Sequence, residues 1–191
     1  MENLKNRINK DGKVLPGNIL KVSSFLNHQI DIEFLDSLAE EILRRFAGTK
    51  INKVMTVESS GIAIACSVAR LLKVPAVFCK KNKSSNVPED VYSTVIHSFT
   101  HGKDYTVVVS KEFLNKGDSV LVVDDFLANG CALEGLISLI TDAGAEFAGA
   151  GIIIEKGFQG GGDKLRAKGL KIESLAIVER MSPEEGVIFR S

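Results

Sequence analysis

Ser119-Val-Leu-Val-Val-Asp-Asp-Phe-Leu-Ala-Asn-Gly-Cys-Ala132 is the stretch around which the rest of the chain is arranged. Val120 to Val123 form an unbroken apolar run, which predicts a strand buried on both faces, and the run ends in two adjacent carboxylates, Asp124 and Asp125. Asn129 and Gly130 then supply a turn, and Ala132, Leu133, Leu136, Ile137 and Ile140 follow at helical spacing. The order is therefore strand, acidic edge, tight loop, helix. At the C-terminal edge of a parallel sheet such a junction aims backbone N–H groups and a helix N-terminus at an anion, while the acids accept hydrogen bonds from hydroxyls. A phosphate beside a sugar diol satisfies both halves.

Two acids after a strand often do no more than cap the next helix, but here the whole pattern carries information. An apolar strand, two acids, a short mostly apolar step and a turn of small residues resembles the substrate loop of the type I phosphoribosyltransferases. The resemblance implies that Asp124 and Asp125 hold the ribose hydroxyls of 5-phosphoribosyl 1-pyrophosphate (PRPP), directly or through water and Mg2+. It also implies that Ala128, Asn129, Gly130, Cys131 and Ala132 wrap the 5′-phosphate. Two departures bear on the chemistry. Many relatives carry Thr or Ser where this chain has Asn129 and Ala132, so backbone N–H groups must do more of the phosphate binding. Ala128 stands where hypoxanthine-guanine enzymes carry an acid that could accept a proton, so that position supplies no base here.

Composition sets the frame. A chain of 191 residues suits one domain with a sizeable core, and a formal net charge of +0 gives no global field for nucleic acid or an anionic membrane. Aromatic residues make up only 6% and Trp is absent, which favours an α/β core of Val, Ile, Leu and Ala. Cys66, Cys79 and Cys131 have no zinc-ligand spacing and are expected as reduced thiols. The charged, amphipathic start at Met1 to Ile8 leads into no signal-like apolar region, and no run is long enough to cross a bilayer, so the expected location is the cytoplasm. On that expectation the sequon at Asn82-Lys-Ser84 is a chance match.

Read in order, residues 2 to 10 predict a short helix, and the stretch from Val14 through Gln29 predicts an extended cover turned by Pro16 and Gly17. From Asp31 a helix is expected, with Ile32, Leu35, Leu38, Ala39, Ile42, Leu43 and Phe46 on one face and Gly48 as its stop. A buried strand over Lys53 to Val57, a loop at Glu58-Ser-Ser-Gly61, an apolar helix to Leu72 and a strand at Val77-Phe78 make a βαβ unit. Right-handed crossover brings its loops to the same edge as Asp124. Val91 to Phe99 and Tyr105 to Ser110, joined around His101-Gly102, predict an antiparallel hairpin lying outside the parallel core. Phe147 to Glu155 and Ile172 to Val178 are further core strands, Gly160 to Gly162 a flexible loop before a short helix around Leu165, and Val187 to Phe189 an edge strand.

Around the central motif, Ser59, Ser60 and Gly61 stand at a strand-to-helix junction suited to an anion, although a plain helix cap explains such a tetrapeptide equally well in isolation. Lys80 or, preferably, Lys81 could add positive charge; alone, either would be read as a solubilising charge. Lys156 follows a strand rich in isoleucine near the same edge, and Phe158 could stack on a ring. A fixed ammonium selects an oxo group over an amino group, because two facing donors leave both unsatisfied. Gly157 to Lys164 imitates a phosphate loop but has Asp163 at the lysine position and no Ser or Thr after Lys164. No elbow of nucleophilic serine type occurs, and His28, His97 and His101 lack metal spacing.

Four segments, Leu20 to Gln29, Val57 to Ala63, Asp124 to Gly130 and Ile154 to Phe158, are most similar within the family to bacterial members that use xanthine. That resemblance spans the chain. It implies an α/β fold with a central parallel sheet and flanking helices, an antiparallel flap over residues 84–112, and a small N-terminal hood formed by residues 1–30, all in one domain. It further implies transfer of the 5-phosphoribosyl group from PRPP to N9 of xanthine, with Mg2+, in a homodimer. Leu20, Asn27, Lys156 and Phe158 would face the purine, and Ser59, Ser60, Gly61 and Lys81 the pyrophosphate, with no side chain assigned as a direct metal ligand. A hypoxanthine-guanine enzyme, or a nucleotide-sensing regulator of the same fold, are the alternatives; the latter usually carries a DNA-binding extension or basic face that this sequence lacks.

Overall fold

The structure is a computed structural model that describes residues 1–82, 89–98 and 103–191. The expectations for Lys83, Ser84, Pro88, Phe99, His101 and Gly102, and the corresponding part of the 84–112 flap, lie outside the described residues.

The predicted βαβ unit and central strand fold as the apolar runs require. Strands β3 (Lys53–Val57), β4 (Ala76–Asn82), β7 (Ser119–Leu127), β8 (Glu146–Lys156) and β9 (Ile172–Ser182) pair in parallel, in the order β9-β8-β7-β3-β4. The chain moves from β3 to β4 in one direction and from β7 through β8 to β9 in the other, so β3 and β7 flank the point where the strand order reverses. Ligands of open α/β sheets bind at such a point, beyond the strand C-termini. β3 and β7 pair only from Lys53↔Val120 to Met55↔Val122, and beyond that register they part to leave a crevice.

Alternation along β7 divides the core in two. Leu121 and Val123 join α2 (Ile32–Arg45) and α3 (Gly61–Leu72) on one face, while Val120 and Val122 join α4 (Cys131–Asp142) and α5 (Gly161–Ala167) on the other. Asp31 caps α2 by accepting the Phe34 N–H at 3.2 Å, as its place before the amphipathic run suggests. Gly151 lets Ile42 of α2 approach the sheet, where a Cβ would lie 2.6 Å from its Cγ2.

The N-terminal cover is a compact hood: α1 (Glu2–Asp11), a hairpin of β1 (Lys13–Leu15) and β2 (Ile19–Lys21), and a single wide helical turn at Ser23–Asn27. Arg7 pins it, with its guanidinium 5.2 Å from the Phe25 ring centroid and 5.3 Å from that of Phe34, and hydrogen-bonded to Asp31 at 3.0 Å.

Two expectations need correction. β7 does not stop at the acids but runs on through them to Leu127, because β8 continues to pair with it as far as Leu127↔Glu155. The hairpin of β5 (Val91–Ser98) and β6 (Lys103–Ser110) lies beyond the parallel core as expected and extends its edge, since β6 pairs antiparallel to the end of β4 through Lys80↔Val108, Lys81↔Val107 and Asn82↔Thr106. β5 also lies on α4, where a Cβ on Gly135 would come within 2.7 Å of Ile96. Finally, Gly161 and Gly162 are not a flexible loop; both are buried in the first turn of α5. Beyond the last core strand, β10 (Gly186–Phe189) closes the sheet edge antiparallel to β9.

Candidate active site

The two acids sit side by side within β7, each with its own further partners, and their carboxylates lie close enough to interact. Asp125 turns to the hood, where it accepts a hydrogen bond from Asn27 Nδ2 at 3.2 Å. Asp124 turns toward α4 and the hairpin, where it lines a small cavity of about 80 Å3 with Val122, Leu127, Asn129 and Leu136. Each carboxylate also accepts a following backbone N–H, Asp124 from Asp125 at 2.9 Å and Asp125 from Phe126 at 3.0 Å, which fixes both at the crevice. Burial and then the Asp125 charge push the Asp124 carboxyl well above the usual carboxylate range, with Lys81 opposing weakly. An acid held this way gains from any cation or hydroxyl donor that reaches it.

The loop after β3 closes on the same point. An added Cβ on Gly61 would lie 1.9 Å from Thr56 Oγ1 and 3.4 Å from Asp124 Oδ1, so only a glycine brings the α3 N-terminus this near the acids. Ser60 occupies the cap position without a side-chain cap bond, and the Glu58–Ser59 peptide is cis. Glu58 Oε1 accepts the Lys81 backbone N–H at 2.6 Å, joining this loop to the end of β4. The Lys81 ammonium lies 5.3 Å from the Tyr105 ring centroid, and burial, with Asp124 and Cys131 nearby, raises the Tyr105 phenol above its ordinary value.

After β7, Gly130 takes a left-handed φ of 92°, and Asn129 Oδ1 accepts the Cys131 N–H at 3.2 Å to form the turn into α4. Ala128, Asn129, Cys131 and Ala132 form one wall of a cleft of about 360 Å3, which Lys156, Gln159, the hood tip at Gly17 to Ile19, and Ile96, His97 and Tyr105 of the hairpin complete. Lys156 Nζ donates to the Asn18 carbonyl at 2.9 Å and lies 5.6 Å from the Phe126 ring centroid. Burial lowers its pKa, against the pull of Asp125. A second cleft of about 370 Å3 runs between Asn27 and His28 of the hood and Ser59, Ser60 and Ile62.

The structure thus brings Asp124, Asp125, Asn27, Gly61, Lys81, Lys156 and the loop from Ala128 to Ala132 to one edge. Two residues singled out in the sequence stand apart. Leu20 is buried at 6% exposure in the hood core, and its neighbours Gly17 to Ile19 face the cleft in its place. Phe158 is 37% exposed and lines neither cleft, whereas Gln159 does. Tyr105 and Gln159 are not marked by the sequence, because one sits mid-strand and the other beside a glycine run; the alternation that puts Tyr105 opposite Ile96 is the available signal for the first.

Two adjacent carboxylates, Asp124 and Asp125, with no group of three or more metal-ligating side chains among the described residues, form a donor set that suits Mg2+. That ion commonly takes one or two carboxylates and completes its shell with water and substrate oxygens.

Comparison with known proteins identifies the family. Residues 21–181 match the phosphoribosyl transferase domain model. The chain is 56% identical to the xanthine phosphoribosyltransferase of Lachnoclostridium phytofermentans over 191 residues, covering 100% of this chain and 98% of that one. It is 54% identical to the enzyme of the same name from Bifidobacterium adolescentis, with 100% of both chains covered. Among solved structures, adenine phosphoribosyltransferase from Rhodothermus marinus superimposes with a TM-score of 0.76 at 23% identity, covering 93% of this chain and 100% of the other. An APRTase from Giardia lamblia complexed with 9-deazaadenine also reaches 0.76, at 26% identity, covering 93% and 98%.

Proposed function

Because the chain belongs to the phosphoribosyl transferase family, we propose that it transfers the 5-phosphoribosyl group of PRPP to N9 of xanthine, releasing pyrophosphate and forming xanthosine 5′-monophosphate in purine salvage. The observation that carries the reading is the convergence of Asp124, Asp125 and the Ala128–Ala132 loop with Lys156 across one crevice. Lys156 favours an oxopurine, since its ammonium donates to a carbonyl oxygen and has nothing to offer an exocyclic amine.

In the proposed reaction the bond from C1′ to pyrophosphate breaks ahead of attack by N9, and C1′ gains oxocarbenium character. Asp124 and Asp125 accept the ribose hydroxyls, and the amides from Ala128 to Ala132 hold the 5′-phosphate, so the sugar is fixed at both ends. Ser59, Ser60 and the Gly61 N-terminus, with Lys81, receive the departing pyrophosphate. Mg2+, when bound through the acids and substrate oxygens, supplies charge neutralisation for that leaving group. The β5–β6 hairpin covers the crevice and excludes water, which would otherwise hydrolyse PRPP. A second ring face for the purine comes from Phe158 only if the short turn at Gly157–Gln159 rotates.

The family resemblance supports a homodimer and a cytoplasmic setting; among the described residues no helix is long and apolar enough to cross a membrane. Purified protein given PRPP, Mg2+ and each purine base in turn tests the reading. Xanthine should be turned over with the highest kcat/KM. Turnover of hypoxanthine or guanine without xanthine would replace the substrate, and PRPP binding without turnover of any base would point to a sensor. Light scattering reads the dimer separately.

A further inference from the structure

The loop that wraps the phosphate is supported from beneath by a helix that touches no substrate. A Cβ added to Gly161 at the start of α5 would lie 2.3 Å from Ala128 O, 2.4 Å from Asn129 C and 2.6 Å from Gly130 N. All three are backbone atoms of the loop, so no side chain can swing aside. From the other side, a Cβ on Gly130 would come within 3.1 Å of Leu165 Cδ1, which is itself 1% exposed. The helix and the loop are in direct backbone contact.

α5 is locked to the sheet by an ion pair between the half-buried Arg166 and the fully buried Glu155. Glu155, with no exposure, accepts from Arg166 Nη1 at 3.0 Å and Nη2 at 2.5 Å, and from Ser174 Oγ at 2.5 Å. Gly162 sits on this carboxylate, where a Cβ would meet Glu155 Oε1 at 2.1 Å. Glu155 is also the residue before Lys156, so the pair anchors the phosphate loop through α5 and the base-facing lysine through the chain.

We propose that Gly161, held in place by the Glu155–Arg166 pair, is a positioning residue for PRPP: it sets the height of the Ala128–Ala132 backbone against the sheet. The proposal deepens the transferase reading and rests on it. A methyl at Gly161 must push the loop back by roughly 1 Å to regain ordinary contact distances, and a displacement of that size can cost on the order of 100-fold in rate.

The test compares Gly161→Ala with Gly169→Ala. Gly169 lies just past α5 with φ +83° and nothing within 4 Å of an added Cβ, so alanine there strains the backbone without touching the loop. Gly161→Ala should lower kcat/KM for PRPP by about 10- to 100-fold while the KM for xanthine at saturating PRPP stays within about twofold. Gly169→Ala should lower thermal stability and leave both constants near wild type. If Gly161→Ala does not fold, Leu165→Ala takes its place, with the same PRPP-selective loss expected. Wild-type PRPP constants in the loop-facing variant, or a fall of equal size in its PRPP and xanthine constants, would overturn the proposal. Calorimetric titration with PRPP and Mg2+ separates the two levels: a wild type that binds no PRPP defeats the transferase reading, whereas equal binding by wild type and Gly161→Ala defeats only the positioning role.

Discussion

The two strand-to-helix junctions at the crevice look alike in outline and are built differently. After β3, the short step from Glu58 to Ser60 is tied sideways, by the Glu58 carboxylate on the Lys81 N–H and by Gly61 against Thr56 and Asp124. After β7, the step from Ala128 to Gly130 rests on another helix, with Gly161 and Leu165 in contact with its backbone. In the proposed reaction the buttressed junction holds the sugar phosphate, which remains with the product, and the tied junction holds the pyrophosphate, which must leave. The comparison teaches that the fold spends packed volume where geometry must persist and side-chain contacts where a group must be let go.

The largest expected effect strikes the buttress. Arg166→Leu leaves the Glu155 carboxylate buried without its charge partner, and urea denaturation should show a loss of about 3–5 kcal/mol. A loss under about 1 kcal/mol would mean that α5 is not held by the pair.

At the point where both junctions meet, Asp125→Asn should reduce PRPP turnover by roughly 100- to 1,000-fold, because an acceptor for a sugar hydroxyl becomes partly a donor. Asn can still accept the Phe126 N–H, so stability should change by less than about 1 kcal/mol. Equal losses in turnover and stability would make the acid structural.

On the tied side, Gly61→Ala should cost about 10-fold in kcat/KM for PRPP. The conflict there is with a side-chain hydroxyl, so adding Thr56→Ala should recover most of it. No equivalent trimming exists at Gly161, where the conflict is with backbone; recovery at Gly61 and none at Gly161 would sharpen the contrast between the junctions.

The smallest expected effect is on pH dependence. The folded chain holds the Asp124 proton more tightly than the unfolded chain does, so its contribution to stability is full below the ordinary carboxylate range and is lost as pH rises through the raised folded value. Asp124→Asn should therefore raise the melting temperature of the free protein at neutral pH and flatten its decline as pH rises above the ordinary carboxylate range, while turnover falls. An unchanged pH slope would mean that the ionised carboxylate is well compensated without ligand.

Much of this was legible in the residues. Four consecutive apolar residues before Asp124 specify a doubly buried strand, and the amphipathic run after Asp31 specifies α2, because both patterns depend on local spacing alone. The acids, Gly61 and Lys156 could be gathered at one edge because crossover handedness settles which ends of parallel strands meet. Tertiary partners hid the rest. Whether β7 continued past Val123 depended on how far β8 kept pairing, and whether Gly161 was loop or helix depended on a backbone surface at Ala128 to Gly130 that lies far away in the sequence. Asn27 was placed near the base by resemblance, but its bond to Asp125 needed the hood's wide turn, which no periodicity announces.

One pairing in the sheet ties timing to geometry. β6 runs alongside the end of β4 at Lys80 to Asn82, so in the proposed reaction the hairpin that covers the crevice is grafted onto the strand whose Lys81 receives the pyrophosphate. Peeling the cover back drags on Lys81 and, through Glu58, on the neighbouring turn. Unlatching the door and withdrawing the charge behind it are then a single movement, and the exit of the inorganic product would be coupled to the unsealing of the chamber.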